Sequence, residues 1–362
     1  MKRLSIALAV SLLVLAGSTL NEGFSSTKNP SSILPSPFTP HPSPFKGNHK
    51  LQTSNFKLQT STPSVRYAAT LSQPPVSFTL TLTGDLLLDR RVRQRIAYGG
   101  VDRLFTRSID SVFRSSDAVV ANLECPATSI HAPAFKQIVF RAEPQWLTTL
   151  RAHGITHLNL ANNHSTDQGR KGLADTRNNI IAAGMTPVGA GNNMNEAAQP
   201  VLLTNTPRRV WLVASNRLAL ENFAYLPDKP CVSQEPMDSL VSRVRNLYRT
   251  DTTAVIVVSL HWGGEHTLKP VPQQRVEARR LIEAGASALV CHHTHTLQTI
   301  EYYHGRPIFY SIGNFIFDQQ RPLNTRACMV RLTVTADTVR TETIPIKIEH
   351  CIPHLSPSKD KR

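Results

Sequence analysis

The chain has 362 residues, 40% hydrophobic and 18% charged, enough for one large globular domain with a core that folds unaided. Its 40 Lys and Arg against 25 Asp and Glu leave a formal charge of +15, which favours a polyanionic partner: an acidic cell-wall polymer, a capsule, phospholipid headgroups or nucleic acid. No run of five basic residues occurs and the aromatics are not interleaved with the charges, which excludes dedicated nucleic-acid binding and leaves an anionic envelope polymer, with peripheral membrane association, as the expected partner.

Lys2 and Arg3 precede the apolar run 4–17, the charged and hydrophobic regions of a secretory signal peptide, so residues 1–20 are expected to direct export to a periplasmic, cell-surface or secreted location. The run is short for a membrane span and no second long uncharged stretch follows, which excludes a bilayer-embedded protein and leaves an uncleaved signal anchor open. Ser18 stands where lipidation would need Cys. Residues 21–75 are rich in Ser, Thr, Pro, Asn and Lys without apolar periodicity and read as a disordered linker.

The folded domain is expected over 76–350. Alternation over 76–82 predicts a strand running into Gly84-Asp85, and a second strand over 117–121 ends at Asn122-Leu123-Glu124. A helix over 145–153 precedes a strand over 155–160, which ends in Ala161-Asn162-Asn163-His164; a helix over 171–183 follows. Strands at 200–203, 209–214 and 254–260 and helices at 237–248 and 272–283 lead to the apolar run 286–290, a strand ending at Cys291-His292-His293-Thr294-His295. Strands at 307–310, 327–335 and 339–346 follow without helices, and 351–362 read as a disordered tail. Strands alternating with helices, then a strand-rich closure, predict an α/β layered fold.

Asp85 and Glu124 each offer a carboxylate after a predicted strand, Asn162-Asn163-His164 adds amide oxygens and an imidazole, and His261 with the His292 to His295 cluster supplies nitrogen donors; four of these sites lie at predicted strand ends. Ligands in open α/β sheets gather outside the carboxyl ends of strands, so these distant residues are expected to converge. Mixed carboxylate, amide and imidazole donors suit a divalent Zn, Mn or Fe ion, whereas Mg or Ca would favour an all-oxygen cage. Six candidates exceed one tetrahedral site, which points to two ions or to one ion with supporting residues. Gly189-Ala190-Gly191 lacks the full spacing of a phosphate-binding turn and reads as a loop. The five cysteines cannot all pair within one chain, one bridge is compatible with an oxidising compartment, and Cys125 and Cys291 read as buried, inert thiols.

The ordered set Gly84-Asp85, Asn122-Leu123-Glu124, Leu160 to His164 with Asp167-Gln168-Gly169, His261-Trp262-Gly263, His292 to His295 and Tyr310 to Phe315 resembles the CapA family over roughly residues 77–320. That family is associated with bacterial capsule and poly-gamma-glutamate synthesis, and its fold is similar to the calcineurin-like metallophosphatases, a layered β-sandwich flanked by helices. The resemblance makes Asp85 the first-strand metal carboxylate, Glu124 the bridging acid, usually Asp, and Asn163 the amide ligand. His261, His293 and His295 complete the ligands, and His164 becomes the catalytic residue that helps the reacting oxyanion or leaving group. Asn162, His292, Glu301, Asn314 and Asp318 are expected around the ligands or against substrate. His292 stands where the phosphatase pattern has Gly, and Leu86-Leu87 replaces the Asp-x-His that supplies a second first-strand ligand, so a reduced or altered metal centre is expected. The implied function is an exported protein acting in synthesis, processing or anchoring of a capsular polymer, by metal-assisted hydrolysis if enzymatic. The competing readings are a non-enzymatic polyanion-binding assembly or export factor and a periplasmic phosphodiesterase.

Overall fold

The computed structural model describes residues 77–219 and 226–357; the expected signal segment and linker lie outside the described residues, as do the last five residues of the chain. Strand β1 (Phe78–Leu86) is followed by helices α1 (Arg90–Gly99) and α2 (Arg107–Arg114), then β2 (Ala118–Leu123), α3 (Trp146–Ala152), β3 (His157–Asn159), α4 (Gly169–Ala182) and β4 (Thr186–Val188). Next come β5 (Ala190–Gly191), α5 (Met194–Ala197), β6 (Val201–Thr204), β7 (Val210–Asn216), β8 (Cys231–Val232), α6 (Met237–Thr250), β9 (Val255–His261) and α7 (Pro272–Ala284). The chain closes with β10 (Ala288–His292), β11 (Ile300–Tyr303), β12 (Arg306–Phe309), β13 (Asn314–Ile316), β14 (Arg326–Val334), β15 (Val339–Glu349) and β16 (Ile352–Leu355).

These strands form two large sheets. One runs β16-β15-β14-β1-β2-β3-β4, with β13 added beside the end of β1; the other runs β11-β12-β10-β9-β7-β6. β1 to β4 are parallel, as are β7, β9, β10 and β12. β5 and β8 pair separately, so the Gly189 segment contributes a short strand where a loop is expected.

Side-chain alternation decides how the layers stack. In β9, Val255 and Val257 enter an apolar layer shared with Leu80 and Leu82 of β1, while Ile256, Val258 and Leu260 face α6 and α7 through Leu240, Val244, Ala278 and Leu281. A strand covered on both faces needs an almost unbroken apolar sequence, which Val255 to Leu260 supplies. The first sheet turns its other face to α1–α4, where Val119, Ala121 and Leu123 meet Ile109, Phe113, Leu147 and Leu173. The result is the expected α/β layered sandwich, helices outside two packed sheets.

The expected tail is corrected at its start. Ile352–Leu355 pairs antiparallel with β15, and Cys351 is buried in the helix-side core, which gives this segment apolar contacts that its short sequence does not advertise. β1 also extends beyond residue 82: it carries a register irregularity between Leu82 and Asp85 and is prolonged by pairing with β13, so Asp85 lies inside the strand. Gly84 makes that possible, because a Cβ there would lie 2.0 Å from the Gly313 carbonyl oxygen. All five cysteines are buried free thiols, and burial pushes the Cys125 and Cys291 thiols up, keeping them in the unreactive form. Among the described residues no helix is long and apolar enough to cross a membrane.

Two outcomes follow for the frame around the strand ends. Gly84→Ala forces β13 away from β1 and is expected to destabilise the fold by about 3 kcal/mol in urea unfolding, the upper range for overpacking. His157, at the start of β3, has its pKa lowered to about 4 by burial and by Arg151. The unfolded chain takes up that proton near pH 6.5 and the folded chain only near 4, so the histidine withdraws stability as pH falls from about 6.5 to 4. Between pH 7 and 4.5 the native chain is therefore expected to lose about 2 kcal/mol more than His157→Asn in the same assay.

Candidate metal centre

The parallel strands of both sheets deliver their carboxyl ends to one place. Asp85 of β1 lies in register with Asn122 of β2 and Asn314 of β13, and the backbone N–H of Glu124 donates to the Leu86 carbonyl, which sets the glutamate beside the aspartate. On the second sheet His261 of β9 is in register with His292 of β10, so the turn after β10 opens directly against His261. In that turn His293 and His295 have φ of 93° and 56°, a left-handed conformation that costs non-glycine residues about 1–3 kcal/mol each and is found where surrounding structure imposes it.

Two groups of donors result. Glu124, His261 and His293 can each bring one ligand atom within 4.8 Å of the others, and so can Asp85, Glu124 and His295. Glu124 belongs to both. Asn163 joins the first group through its Oδ1, 2.9 Å from His261 Nε2. All six expected ligands are therefore gathered, and Leu87, at the position of the missing first-strand histidine, is buried in the helix-side core.

Electrostatics makes this arrangement costly without a cation. Both oxygens of Glu124 and Nδ1 of His293 are buried with no hydrogen-bond partner among the described residues. A buried carboxylate without donors is unfavourable by several kcal/mol, and a metal ion is the partner that would use both of its oxygens. Burial and the neighbouring Asp85 charge push the Glu124 carboxyl well above the usual range, with His295 opposing. Asp85 goes the other way: burial works against its ionisation, but the His295 hydrogen bond and the imidazoles around it hold its carboxyl below the usual range. His295, though burial opposes its charge, is raised to about 9 by Glu124 and Asp85. Burial and His295 lower His293 to about 4, and burial with His293 lowers His261 well below its ordinary value. A divalent ion requires neutral histidines and ionised acids, the forms that Asp85, His261 and His293 already favour and that Glu124 and His295 would take up only on releasing protons to bind it.

His164 stands apart from both donor groups. Its Nδ1 lies 2.8 Å from Asp167 Oδ2, and its ring packs on Phe140 at 4.3 Å between centroids. Asp167 also accepts from the Phe140 N–H and is ion-paired at 2.5 Å to Lys136, which is itself buried. Burial lowers the His164 pKa, partly countered by Asp167. The ring is thus fixed by one nitrogen, leaving Nε2 without a hydrogen-bond partner among the described residues.

The remaining expected residues divide. Asn314 Oδ1 lies 2.9 Å from His295 Nδ1 and orients that ring. Asn162 shapes the turn, accepting from the His164 N–H and Ser165 hydroxyl and donating to the Leu123 carbonyl, and does not point its amide at the donors. His292 faces away, its Nε2 3.1 Å from the Thr83 carbonyl, and ties β10 to β1 across the sheets. Glu301 is removed from the site: Arg275, Arg279 and the Tyr310 hydroxyl hold it at the edge of the second sheet. Asp318 pairs with Arg90 at the mouth.

Sequence reasoning missed Asn122, Lys136 and Arg90. Asn122 is the hub of the buried network: its amide donates to Asp85 Oδ1 at 2.8 Å and lies 3.2 Å from His261 Nδ1, while its oxygen accepts from Asn159 and Asn162. A polar residue one position before the strand end, preceding a buried glutamate, was the available signal.

With this geometry in place, the family model for the bacterial capsule synthesis protein PGA_cap matches residues 79–319, from β1 through the mouth of the centre. The chain belongs to this family. It is 33% identical over 248 residues to the capsule biosynthesis protein CapA of Bacillus anthracis, covering 67% of this chain and 60% of that protein's length. It is 30% identical over 277 residues to the PGA biosynthesis protein CapA of Bacillus subtilis (strain 168), covering 75% and 72%. Among solved structures, the sulfate thiohydrolase SoxB of Thermus thermophilus in complex with glycerol aligns with a TM-score of 0.43 and 11% identity, over 80% of this chain and 59% of that one.

Binding of a divalent ion at about a hundred times its Kd contributes about 2.7 kcal/mol, and a domain of this size gains roughly 2–4 °C per kcal/mol. Saturating Mn²⁺ or Zn²⁺ is therefore expected to raise the thermal midpoint of the native chain by about 5 to 10 °C. Glu124→Gln, which touches both donor groups, is expected to lose that gain, as read by thermal unfolding with and without a chelator.

Proposed function

We propose that this protein is an exported, metal-dependent hydrolase acting on an anionic envelope or capsular polymer, with poly-gamma-glutamate as the favoured substrate and an amide or phosphoester link as the bond cleaved. The observation that carries this reading is Glu124, a buried carboxylate with no hydrogen-bond donor among the described residues, shared by two donor groups. Asp85, Glu124 and His295 would hold one Zn, Mn or Fe ion; Glu124, His261, His293 and Asn163 would hold the other. The names of the two Bacillus relatives and the basic balance of the chain support a polyanionic substrate. Lys2, Arg3 and the apolar run behind them support export.

When bound, the ions would supply Lewis acidity, polarising the scissile group and making a hydroxide nucleophile available near neutral pH. The chain's own contribution is positional. Asp167 accepts from Nδ1 of His164 and fixes its tautomer, so Nε2 is the nitrogen that takes up and returns a proton at the leaving group. Lys136 balances the Asp167 charge and keeps that carboxylate from drifting. Asn122 holds Asp85 and Asn314 holds His295, so one donor from each sheet is pre-oriented before an ion arrives.

The test joins metal analysis to a substrate panel on the full chain. Two ions per chain are expected, with Glu124→Ala losing both, His295→Ala losing the ion it would share with Asp85, and His261→Ala losing the ion it would share with His293 and Asn163. His164→Ala is expected to keep its metal and lose turnover about a hundredfold or more. A chain that holds no stoichiometric transition metal and works in cells after His293→Ala with His295→Ala would overturn the reading. Polyglutamate binding that survives chelation, disappears with salt and brings no turnover would make the protein a polymer-gripping factor instead. Turnover confined to nucleotides would make it a phosphodiesterase.

A further inference from the structure

Arg90 occupies an unusual place. It is the first residue of α1, directly after the Asp89 cap, and its φ of 53° puts a non-glycine residue in the left-handed region. From there its guanidinium lies 5.0 Å from the centroid of the Phe140 ring and 5.6 Å from that of Phe317. Each ring in turn packs against an imidazole of the centre: Phe140 on His164, and Phe317 on His295 at 4.6 Å. A single cation is thus held one aromatic layer out from the proton-carrying histidine on one side and from a metal-ligating histidine on the other. Its side chain remains 38% exposed, while Asp318, its ion-pair partner, is only 9% exposed.

A guanidinium that only tied two loops together would be served by the Asp318 pair alone. The aromatic bracket adds orientation: a planar group laid over two rings keeps its N–H edge fixed, and an edge fixed at the mouth is suited to two-pronged capture of an oxyanion. Asp318 then acts as the resting partner, occupying that edge until a ligand carboxylate or phosphate displaces it.

We infer that Arg90 is the specificity-determining residue at the mouth of the centre, binding an oxyanion of the polymer, a carboxylate or a phosphodiester, next to the bond presented to the metal site. The inference takes the polymer from the hydrolase reading above. Its test reads binding alone, so a chain that binds through Arg90 without turning substrate over would sink the hydrolase and leave this inference standing.

The experiment measures affinity of the Mn²⁺-loaded full chain for poly-gamma-glutamate and, separately, for poly(glycerol phosphate), at about 0.15 M salt where diffuse surface attraction is damped. Arg90→Gln is expected to weaken binding of at least one polymer tenfold or more, and which polymer responds identifies the oxyanion. Arg91→Gln removes the same charge from the neighbouring exposed position and is expected to change affinity less than twofold. Arg90→Lys, which keeps the charge and loses the planar fork, is expected to weaken binding three- to tenfold and answers the question should Arg90→Gln fail to fold. Asp318→Asn is expected to tighten binding by releasing the guanidinium. Native chain that binds neither polymer, equal losses in Arg90→Gln and Arg91→Gln, or native affinity in Arg90→Lys would each overturn the assignment.

Discussion

Two carboxylates, Asp85 and Glu124, are buried side by side at the seam between two sheets, and the rest of the molecule is arranged to make that tolerable. Like charges in a water-poor setting repel strongly, and the two acids respond by separating: Asp85 is held ionised by His295 and the surrounding imidazoles, and Glu124 is driven toward its neutral form. Asn122 supplies a donor to Asp85, but among the described residues none reaches Glu124. What remains is a pair of buried carboxyl groups faced by histidine nitrogens, a donor set that suits a divalent cation.

The fold makes this juxtaposition rigid. Parallel strands covered on both faces by apolar layers leave little freedom at their ends, so donors from β1, β2, β9 and β10 are positioned by the cores beneath them. His292 contributes to that frame. Where the phosphatase pattern has Gly, this chain places an imidazole that ties β10 to Thr83 across the seam, beside the strand that carries Asp85. The strained backbone at His293 and His295 goes with the same demand, since both rings on either side of Thr294 are brought to the donor groups by a tight turn.

Around the centre lies a ring of supporting residues: Asn314 on His295, Asp167 and Lys136 behind His164, and Arg90 laid over Phe140 and Phe317. Their arrangement gives the site an inside and an outside. Inside, imidazoles are kept mostly neutral by burial; outside, a cation faces solvent. A polyanion would meet positive charge before it meets the buried carboxylates.

By itself the sequence determined the layered α/β class, because strand periodicity is a local pattern that survives without coordinates, and the ordered motifs at strand ends pointed to the six residues that the structure brings together. It also determined that Leu87 could not be a ligand, since an apolar side chain there has only the core to enter. Helix α1 was missed because two buried apolar residues, Val92 and Ile96, among four arginines give a weak periodic signal. Strand β16 was missed because its four residues acquire meaning only by pairing with β15. Only the tertiary structure decided that Glu124 is shared between two donor groups, that Glu301 belongs to three partners elsewhere, that Lys136 pairs with Asp167 behind His164, and that Arg90 meets Phe140, Phe317 and Asp318. The reason is physical: a side chain's role as ligand, support or bystander depends on which groups surround it in space, and those groups come from strands and loops far apart along the chain.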